Sequence, residues 1–250
     1  MTLDLSWLEA TMLAAVRMTA FIVIAPPFSY KAFPGRVKAM LGVGLGLAVA
    51  PRVTPGYESL ATGQFVVALV LEVVVGAVLG FLVFLAFAAV QAAGSLIDLF
   101  GGFTLAQAFD PQSMVNGAQF TRLFQMTALA LLFASGGHQL IIGGLTRSFT
   151  AFPLGLGLDL THPVQVLTTL VSEMFLAAVQ IAGPLCVVLF LADVGLGLLS
   201  RVAPALNAYA LGFPLKILLT FVFVGGTVLA LPGIVTALTG DAVDAVAGVR

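Results

Sequence analysis

The chain has 250 residues, of which 60% are hydrophobic and only 8% are charged, and its formal net charge is −1. Soluble domains carry roughly 25% charged residues, so this composition indicates an integral membrane protein without a separate soluble domain. The basic residues are scattered, which excludes the clustered basic face that nucleic-acid binding requires.

The first apolar segment is Trp7–Ala25, and a pair of prolines ends it. The chain starts MTLDLSWLEA, with two acids and no basic cluster, so we expect no cleavable signal peptide. A basic linker, FSYKAFPGRVK, follows and contains the densest basic cluster, Lys31–Lys38. The positive-inside tendency places this linker in the cytoplasm and the N-terminus on the outside.

Two apolar segments of very unequal length come next. Ala39–Ala50 is stopped by Pro51 and is short for a spanning helix, which needs about 20 residues. Ala61–Ile97 has Glu72 as its only charge and is too long for one untilted span. It is therefore either one very long helix or a helical hairpin.

An irregular stretch, Gly101–Arg122, separates the third apolar segment from the fourth. Its sequence, GGFTLAQAFDPQSMVNGAQFTR, is glycine-rich, polar in places and broken by an Asp-Pro pair. Lipid does not tolerate irregular backbone, because each unpaired N–H or C=O group there costs several kcal/mol. Protein or a water-filled path must surround such a stretch, which makes it a candidate gate or binding element.

Three further apolar segments complete the map. Leu123–Thr146 is followed by the loop RSFTAFPLGLGLDLTHP, and Val164–Leu199 is interrupted by two acids and a Gly-Pro pair. Leu206–Leu231 has a glycine, a proline and a lysine near its start. Segments two and six are broken and segments three and five exceed one span, so the lengths do not fit a simple bundle. No period of 20–50 residues repeats, which excludes a solenoid.

Many glycines recur at small-xxx-small spacing, which lets helices approach closely in lipid. Glycine is also simply common in membrane helices, and the sequence does not separate these two interpretations. The examples are Gly42, Gly44 and Gly46, then Gly76 and Gly80, and then Gly195 and Gly197.

Seven charged residues lie in or at the ends of apolar segments, where a charge costs at least a few kcal/mol unless it faces protein or water. They form either an ion or proton pathway or structural contacts between helices or subunits, and we favour contacts because most lie near breaks. Asp193 and Arg201 are eight residues apart on one face of a helix, which is too far for them to pair, so their partners are expected on other helices. The seven are Arg17, Glu72, Asp98, Glu173, Asp193, Arg201 and Lys216.

Motifs for catalysis, cofactors and metals are absent from the sequence, which has no GxSxG, HExxH or CxxC. His138 and His162 have no ligand cluster nearby, and His138 is expected to be a hydrogen-bonded residue at a helix break. The single cysteine, Cys186, is expected to be a small buried hydrophobe. We therefore expect no enzymatic activity, no cofactor and no metal site.

Short motifs of glycine, proline and charged residues punctuate nearly the whole chain. In this order and spacing they resemble the FliR family, the flagellar members of the type III secretion export-gate proteins, whose counterparts in virulence injectisomes are closely related. Phe100 departs from the family, whose members often carry glutamine there, so no glutamine-specific role is expected. In chain order the motifs are Arg17, Pro26-Pro27, Pro34–Lys38, Gly94–Asp98, Gly102-Phe103, Phe109–Pro111, Gly136–His138, Arg147–Phe149, Pro153–Gly155 and GLGLLSRVAPALNAYALGFPLK, from Gly195 to Lys216.

The resemblance implies an all-α membrane protein of long broken helices and helical hairpins in a right-handed helical export-gate assembly. Within a single integral membrane domain, 1–250, residues 1–163 would be FliP-like and residues 164–250 would form a FliQ-like hairpin. The implied partners are FliP-like and FliQ-like subunits, an FlhB-like export switch protein, unfolded flagellar protein substrates and membrane lipid. The implied location is the bacterial inner membrane, in the flagellar basal body.

The resemblance also implies a function, which is to form with those partners the channel that passes unfolded flagellar subunits across the inner membrane. The loop 101–117 would plug this channel, because an apolar constriction excludes water and ions by dewetting. The alternative is a secondary transporter of a small solute, which broken helices also suit, although no internal repeat is found. The implied plug residues are Gly101, Gly102 and Gly117 for bending, Phe103, Leu105, Phe109 and Met114 for the constriction, and Asp110 and Pro111 for stopping helix propagation.

Overall fold

The computed structural model describes residues 5–30, 33–104, 119–155, 161–203 and 208–247, with side chains described throughout except at 161–167 and 208–210. Within these ranges the chain is helical, and no β-strand is present. The seven helices of the described residues are α1 (Leu5–Ile24), α2 (Gly35–Val53), α3 (Thr62–Phe100), α4 (Gln119–Ala134), α5 (Gly137–Ala151), α6 (Thr161–Val202) and α7 (Ala208–Val246).

The predicted all-α membrane fold is confirmed. Four helical stretches of the described residues are long and apolar enough to cross a membrane, namely α1, α3, Thr168–Val202 of α6 and Leu211–Val246 of α7. Helices α4 and α5 together form a fifth candidate, a pair bent by 75°. The third apolar segment is one helix, and the hairpin alternative is wrong.

Three helices are far longer than a bilayer requires. Helices α3 and α7 have 39 residues each and α6 has 42. At a rise of 1.5 Å per residue they extend about 59 to 63 Å, roughly twice the 30 Å hydrocarbon core of a bilayer. Much of each helix must therefore lie beside protein or water outside the hydrocarbon.

Prolines end fewer helices than the sequence predicted. Helix α2 runs through Pro51 to Val53, α6 runs through Pro184, and α7 runs through Pro214 and Pro232. Each proline removes only one N–H donor from its helix, and the neighbouring groups still pair. Beyond Pro51, for example, the amide of Thr54 donates to the carbonyl of Ala50 at 3.0 Å.

The end of the last helix is the largest error in the predicted boundaries, because α7 continues from the expected end at Leu231 to Val246. The tail GDAVDAV looks polar, but its small and apolar residues recur every three or four positions on one buried face. That face packs on α5, where a Cβ added at Gly144 would lie 3.3 Å from the carbonyl oxygen of Val243. Tertiary packing therefore continues a helix that hydropathy alone ends early.

The fourth apolar segment contains a sharp break beside His138, where the sequence predicted a helix break. Gly136 adopts φ +73°, a left-handed conformation that glycine accepts without steric cost, and it separates α4 from α5. His138 lies at this break, and its ring centroid is 5.0 Å from that of Phe133. Its Nδ1 atom is buried and has no hydrogen-bond partner among the described residues, so the expected hydrogen bond is not made there.

Glycines on α2 and α3 bring both helices against the backbone of α1. A Cβ at Gly46 would lie 2.5 Å from the Cα atom of Ala15, and Gly42 meets Thr19 in the same way. On α3, a Cβ at Gly80 would lie 2.9 Å from the carbonyl oxygen of Phe21. The interpretation of small residues as packing sites is therefore correct for Gly42, Gly46 and Gly80, whose contacts with α1 we call the glycine seam.

The same spacing has no packing role elsewhere. A Cβ added at Gly44, Gly195 or Gly197 meets nothing within 4 Å among the described residues. At these positions the glycines are simply part of exposed helix faces, as the second interpretation held.

A buried ion pair joins α1 to α3. Arg17 is 1% exposed, and its Nε and Nη2 atoms donate to the two carboxylate oxygens of Glu72 at 2.5 and 2.9 Å. Its Nη1 atom donates to the carbonyl of Ser148 at 3.5 Å, and its guanidinium carbon lies 4.3 Å from the ring centroid of Phe149. The guanidinium is thus enclosed by an anion, a carbonyl and an aromatic face.

The chain divides into two units of internal contact. One comprises Met1–Ala86, Leu132–Val171 and Thr236–Arg250, and the other comprises Phe87–Leu131 and Ser172–Val235. The glycine seam and the Arg17 pair belong to the first unit, and the end of α3 with the start of α4 belongs to the second.

Replacement of Gly46 by alanine is expected to weaken the packing of α1 on α2, because the new methyl group would overlap the Ala15 backbone. Overpacking of this kind costs typically about 1–3 kcal/mol. Gly44→Ala, two residues away in open space, is the matched control. Thermal unfolding of the solubilised protein complex should show a lower midpoint for Gly46→Ala alone, and equal midpoints for both variants would contradict the seam.

Replacement of Glu72 by glutamine is expected to destabilise the protein, because the Arg17 charge stays buried without its anion. Removal of one partner of a buried pair costs roughly 3–5 kcal/mol. The control is Glu58→Gln, an exposed acid of the same unit, which should stay within about 0.5 kcal/mol of the parent. Membrane levels and unfolding midpoints test this, and a Glu72→Gln protein as stable as the parent would disprove it.

Candidate functional site

The loop that the sequence singled out is described only at its two ends. Gly101, Gly102 and Phe103 follow directly on α3, and Gln119 begins α4. The described part of the site therefore consists of the residues where the loop leaves α3 and where it enters α4. The other predicted plug residues, Leu105, Phe109, Asp110, Pro111, Met114 and Gly117, lie outside the described residues.

The chain leaves α3 through a glycine turn. The amide of Gly101 donates to the carbonyl of Ile97 at 2.8 Å, and the amide of Gly102 donates to that of Leu99 at 3.3 Å. Gly102 has φ +80°, a left-handed conformation that commonly ends helices at glycine. A Cβ there would lie 3.5 Å from the ring of Phe213 on α7, so this turn rests against the last helix.

The chain enters α4 through a contact with Asp98, a fully buried residue in the last turn of α3. One carboxylate oxygen accepts the amide of Phe120 at 3.0 Å, and the other accepts the amide and the hydroxyl of Thr121, both at 2.8 Å. The first amides of any helix lack intrahelical partners, and a carboxylate there also interacts favourably with the helix dipole. Asp98 therefore caps α4 from 22 residues upstream.

Three aromatic rings cover the base of the loop. Phe103 meets Phe120 edge-on with centroids 5.1 Å apart, and Phe120 meets Phe221 of α7 at 6.1 Å in the same orientation. Edge-to-face ring pairs at these distances contribute stabilisation in addition to that from the apolar area that they bury. The two ends of the loop thus share one apolar cluster with α7, within the second unit.

The other charged residues that the sequence singled out occupy separate places. Arg17 and Glu72 form the buried pair of the first unit, whereas Lys216 on α7 pairs with Asp193 on α6 at 2.6 Å in the second. The side chains of Asp193 and Lys216 are 46% and 18% exposed. Glu173 and Arg201 lie on exposed faces of α6. The structure therefore places five of the seven residues in two separate ion pairs and one cap.

Helices α6 and α7 bury little of their apolar surface. In their most apolar windows 28% and 17% of the residues are buried, against 56% in α3. The side chains left more than half exposed include Phe175, Leu176, Val179, Val187, Phe190, Leu191 and Leu198 on α6, and Leu218, Phe221, Val222 and Leu229 on α7.

A cleft of about 520 Å³ lies in the first unit, where the ends of α2 and α5 meet the loop after α2. Arg52, Arg147 and Tyr57 are among its lining residues. Burial and then the neighbouring Glu9 carboxylate raise the pKa of Tyr57 to about 12, so its hydroxyl stays a neutral donor toward Glu9. No group of three histidine, cysteine or acidic side chains suited to a metal occurs in the described part of the chain.

Sequence reasoning singled out Asp98 but missed its partners, Phe120 and Thr121, and it missed Phe221. One signal for a distant partner was available. An acid in the last turn of a helix opposes the helix dipole, so a buried Asp98 at the end of α3 requires donors from another element.

Comparisons with known proteins agree with this architecture. The family described as bacterial export proteins, family 1, matches residues 8–242. The flagellar biosynthetic protein FliR of Escherichia coli (strain K12) is 35% identical over 214 residues, which cover 85% of this chain and 82% of that protein. FliR of Pectobacterium carotovorum subsp. carotovorum is 30% identical over 98% of this chain and 94% of that protein.

A virulence-associated relative is similar at slightly lower identity. The surface presentation of antigens protein SpaR of Shigella flexneri is 29% identical over 225 residues, which cover 86% of each chain. Since the family match spans almost the whole sequence and the FliR proteins reach 30–35% identity, the family is shown. The chain therefore belongs to family 1 of the bacterial export proteins, the FliR family of type III secretion export components.

Proposed function

We propose that this protein is a subunit of the type III export gate of the bacterial flagellum, in the inner membrane. With FliP-like and FliQ-like subunits it forms the channel through which unfolded flagellar proteins pass, and an FlhB-like switch protein joins the assembly. In this proposal it is a structural and transport component rather than an enzyme. Its membership of an export-protein family disfavours a transporter of small solutes.

The observation that carries the proposal is the exposed Asp193–Lys216 pair on an apolar surface. Asp193 is nearly half exposed although it lies between Leu191 and Val194, which are themselves exposed. A face turned toward lipid would leave this carboxylate in hydrocarbon at a cost of a few kcal/mol. Coverage of the α6 and α7 surface by partner subunits would remove this cost, which supports the proposed assembly.

The helix lengths support the same conclusion. Helices of about 59 to 63 Å exceed the hydrocarbon core of a bilayer by roughly a factor of two. A lone membrane protein would leave apolar helix ends in water. An assembly that rises out of the bilayer covers these ends with neighbouring subunits.

The loop 101–117 acts as a plug in the closed channel. The support lies at its base, where Gly102 turns the chain out of α3 and where Phe103 and Phe120 form an apolar surface. A plug of apolar side chains would exclude water and ions by dewetting and still yield to a passing chain. The flagellar assignment rests on the FliR proteins of Escherichia coli and Pectobacterium carotovorum, which are 35% and 30% identical to this chain, against 29% for SpaR.

Deletion of Leu105–Gln112 tests the plug. We expect increased ion conductance through the assembled gate, because the apolar constriction is shortened, and near-normal co-purification with the FliP-like and FliQ-like subunits. Conductance is measured after reconstitution of the complex into planar bilayers. A variant in which the same eight positions are filled with glycine and serine should also leak, because it keeps the length but loses the apolar seal.

Ser200→Ala, on an exposed face of α6, is the control and should conduct like the parent. Unchanged conductance in an assembled deletion complex would sink the plug proposal. Failure to co-purify any partner subunit with the unaltered chain would overturn the proposed assembly itself.

A further inference from the structure

We infer that Asp98 is a positioning residue that clasps the two ends of the loop together, so that α3 and α4 stay joined at the loop's base. We call this contact, made by Gly94, Asp98, Phe120 and Thr121, the neck. The inference rests on the proposed function only where it concerns ion leakage, since the neck itself is a property of the described residues.

The chemistry of the neck requires a carboxylate. The amides of Phe120 and Thr121 point at different oxygens of Asp98, and the Thr121 hydroxyl supplies a third donor. An ionised carboxylate is an acceptor at both oxygens, whereas an asparagine side chain has one acceptor and one NH2 group. In Asp98→Asn that NH2 group would face a backbone N–H, so one donor at the start of α4 would lose its partner without water to replace it.

A steric contact one turn earlier forms the second half of the neck. Gly94 and Asp98 are four residues apart and therefore lie on the same face of α3. A Cβ at Gly94 would lie 2.7 Å from both the carbonyl oxygen of Phe120 and the Cα atom of Thr121. The absence of a side chain at Gly94 thus allows α4 to come close enough for Asp98 to reach its amides.

The neck is also largely buried, and only Thr121 is partly exposed. Asp98 is fully buried, Phe120 is 4% exposed, and the ring of Phe103 covers Phe120 from the departing end of the loop. Hydrogen bonds to an ionised group are stronger than neutral ones, and their loss in a buried place leaves unpaired donors. The two ends of the loop are therefore held by a set of three hydrogen bonds to one buried carboxylate.

The neck separates the loop from the helices that carry it. With both ends fixed on one carboxylate, a displacement of the residues between them need not pull α3 from α4. Under the proposed function, the contacts of these helices with other subunits then stay unchanged while the seal opens.

Hydrogen–deuterium exchange of the intact export complex tests the neck without reference to transport. In Asp98→Asn, the peptide that covers residues 119–124 should exchange about 10- to 100-fold faster, which corresponds to one lost bond to a charged group. Peptides from α1 and from the first half of α3 should exchange as in the parent, since a general loss of stability would raise them as well. Unchanged exchange at 119–124 would overturn the inference, whatever happens to conductance.

Two milder variants keep the test decisive if Asp98→Asn does not assemble. Thr121→Val removes one hydroxyl donor and should raise exchange at 119–124 several-fold, whereas Thr121→Ser retains the donor and should not. Gly94→Ala should raise it too, because the methyl group pushes α4 away, whereas Gly63→Ala, on the same helix in open space, should not. Equal exchange in the members of each pair would overturn the neck.

Conductance separates the neck from the plug. If exchange rises in Gly94→Ala and the assembled gate also leaks, both the neck and the plug stand. If exchange rises and the gate stays tight, the neck stands and its loosening does not open the seal. If the gate leaks while exchange at 119–124 is unchanged, the neck fails and the leak has another origin.

Discussion

A positive charge that water cannot reach is the constraint on which the first unit depends. A guanidinium carries N–H donors and no acceptor, so the helices around Arg17 must supply its acceptors. Glu72 comes from α3, and the carbonyl of Ser148 and the ring of Phe149 come from α5. One side chain on α1 thereby fixes the register of two other helices. Gly76, one turn beyond Glu72, makes the approach possible because it lies directly on the Arg17 carbonyl.

The existence of the helices could be predicted from the apolar segments, but their ends could not. A proline such as Pro184 looks like a stop because it removes one donor, yet a helix of 42 residues keeps its other backbone hydrogen bonds and tolerates that loss. The tail after Pro232 looks too polar for a spanning helix, and only its contact with α5 reveals a buried face. In the tail, tertiary contacts outweigh local preferences.

The position of the candidate site could be predicted from the sequence, but the contacts that join the two ends of the loop could not. Asp98 stood out as an acid in apolar sequence, whereas its donors are two backbone amides 22 and 23 residues away, which carry no sequence signature. The same limit applies to the glycines, because Gly44 and Gly46 belong to one motif and only Gly46 contacts a neighbouring helix. Composition indicates which residues are unusual, and the folded backbone decides which of them are used.

The sparse burial of α6 and α7 has a consequence for the life of a newly made copy. The first unit gains its stability from contacts inside the chain, whereas under the proposed assembly the apolar faces of these two helices and the Asp193–Lys216 pair are covered only by neighbouring subunits. Until those neighbours arrive, the copy displays charge and hydrocarbon side by side, a combination that neither lipid nor water solvates well. Under the proposed assembly, that surface distinguishes an unassembled copy from a finished gate.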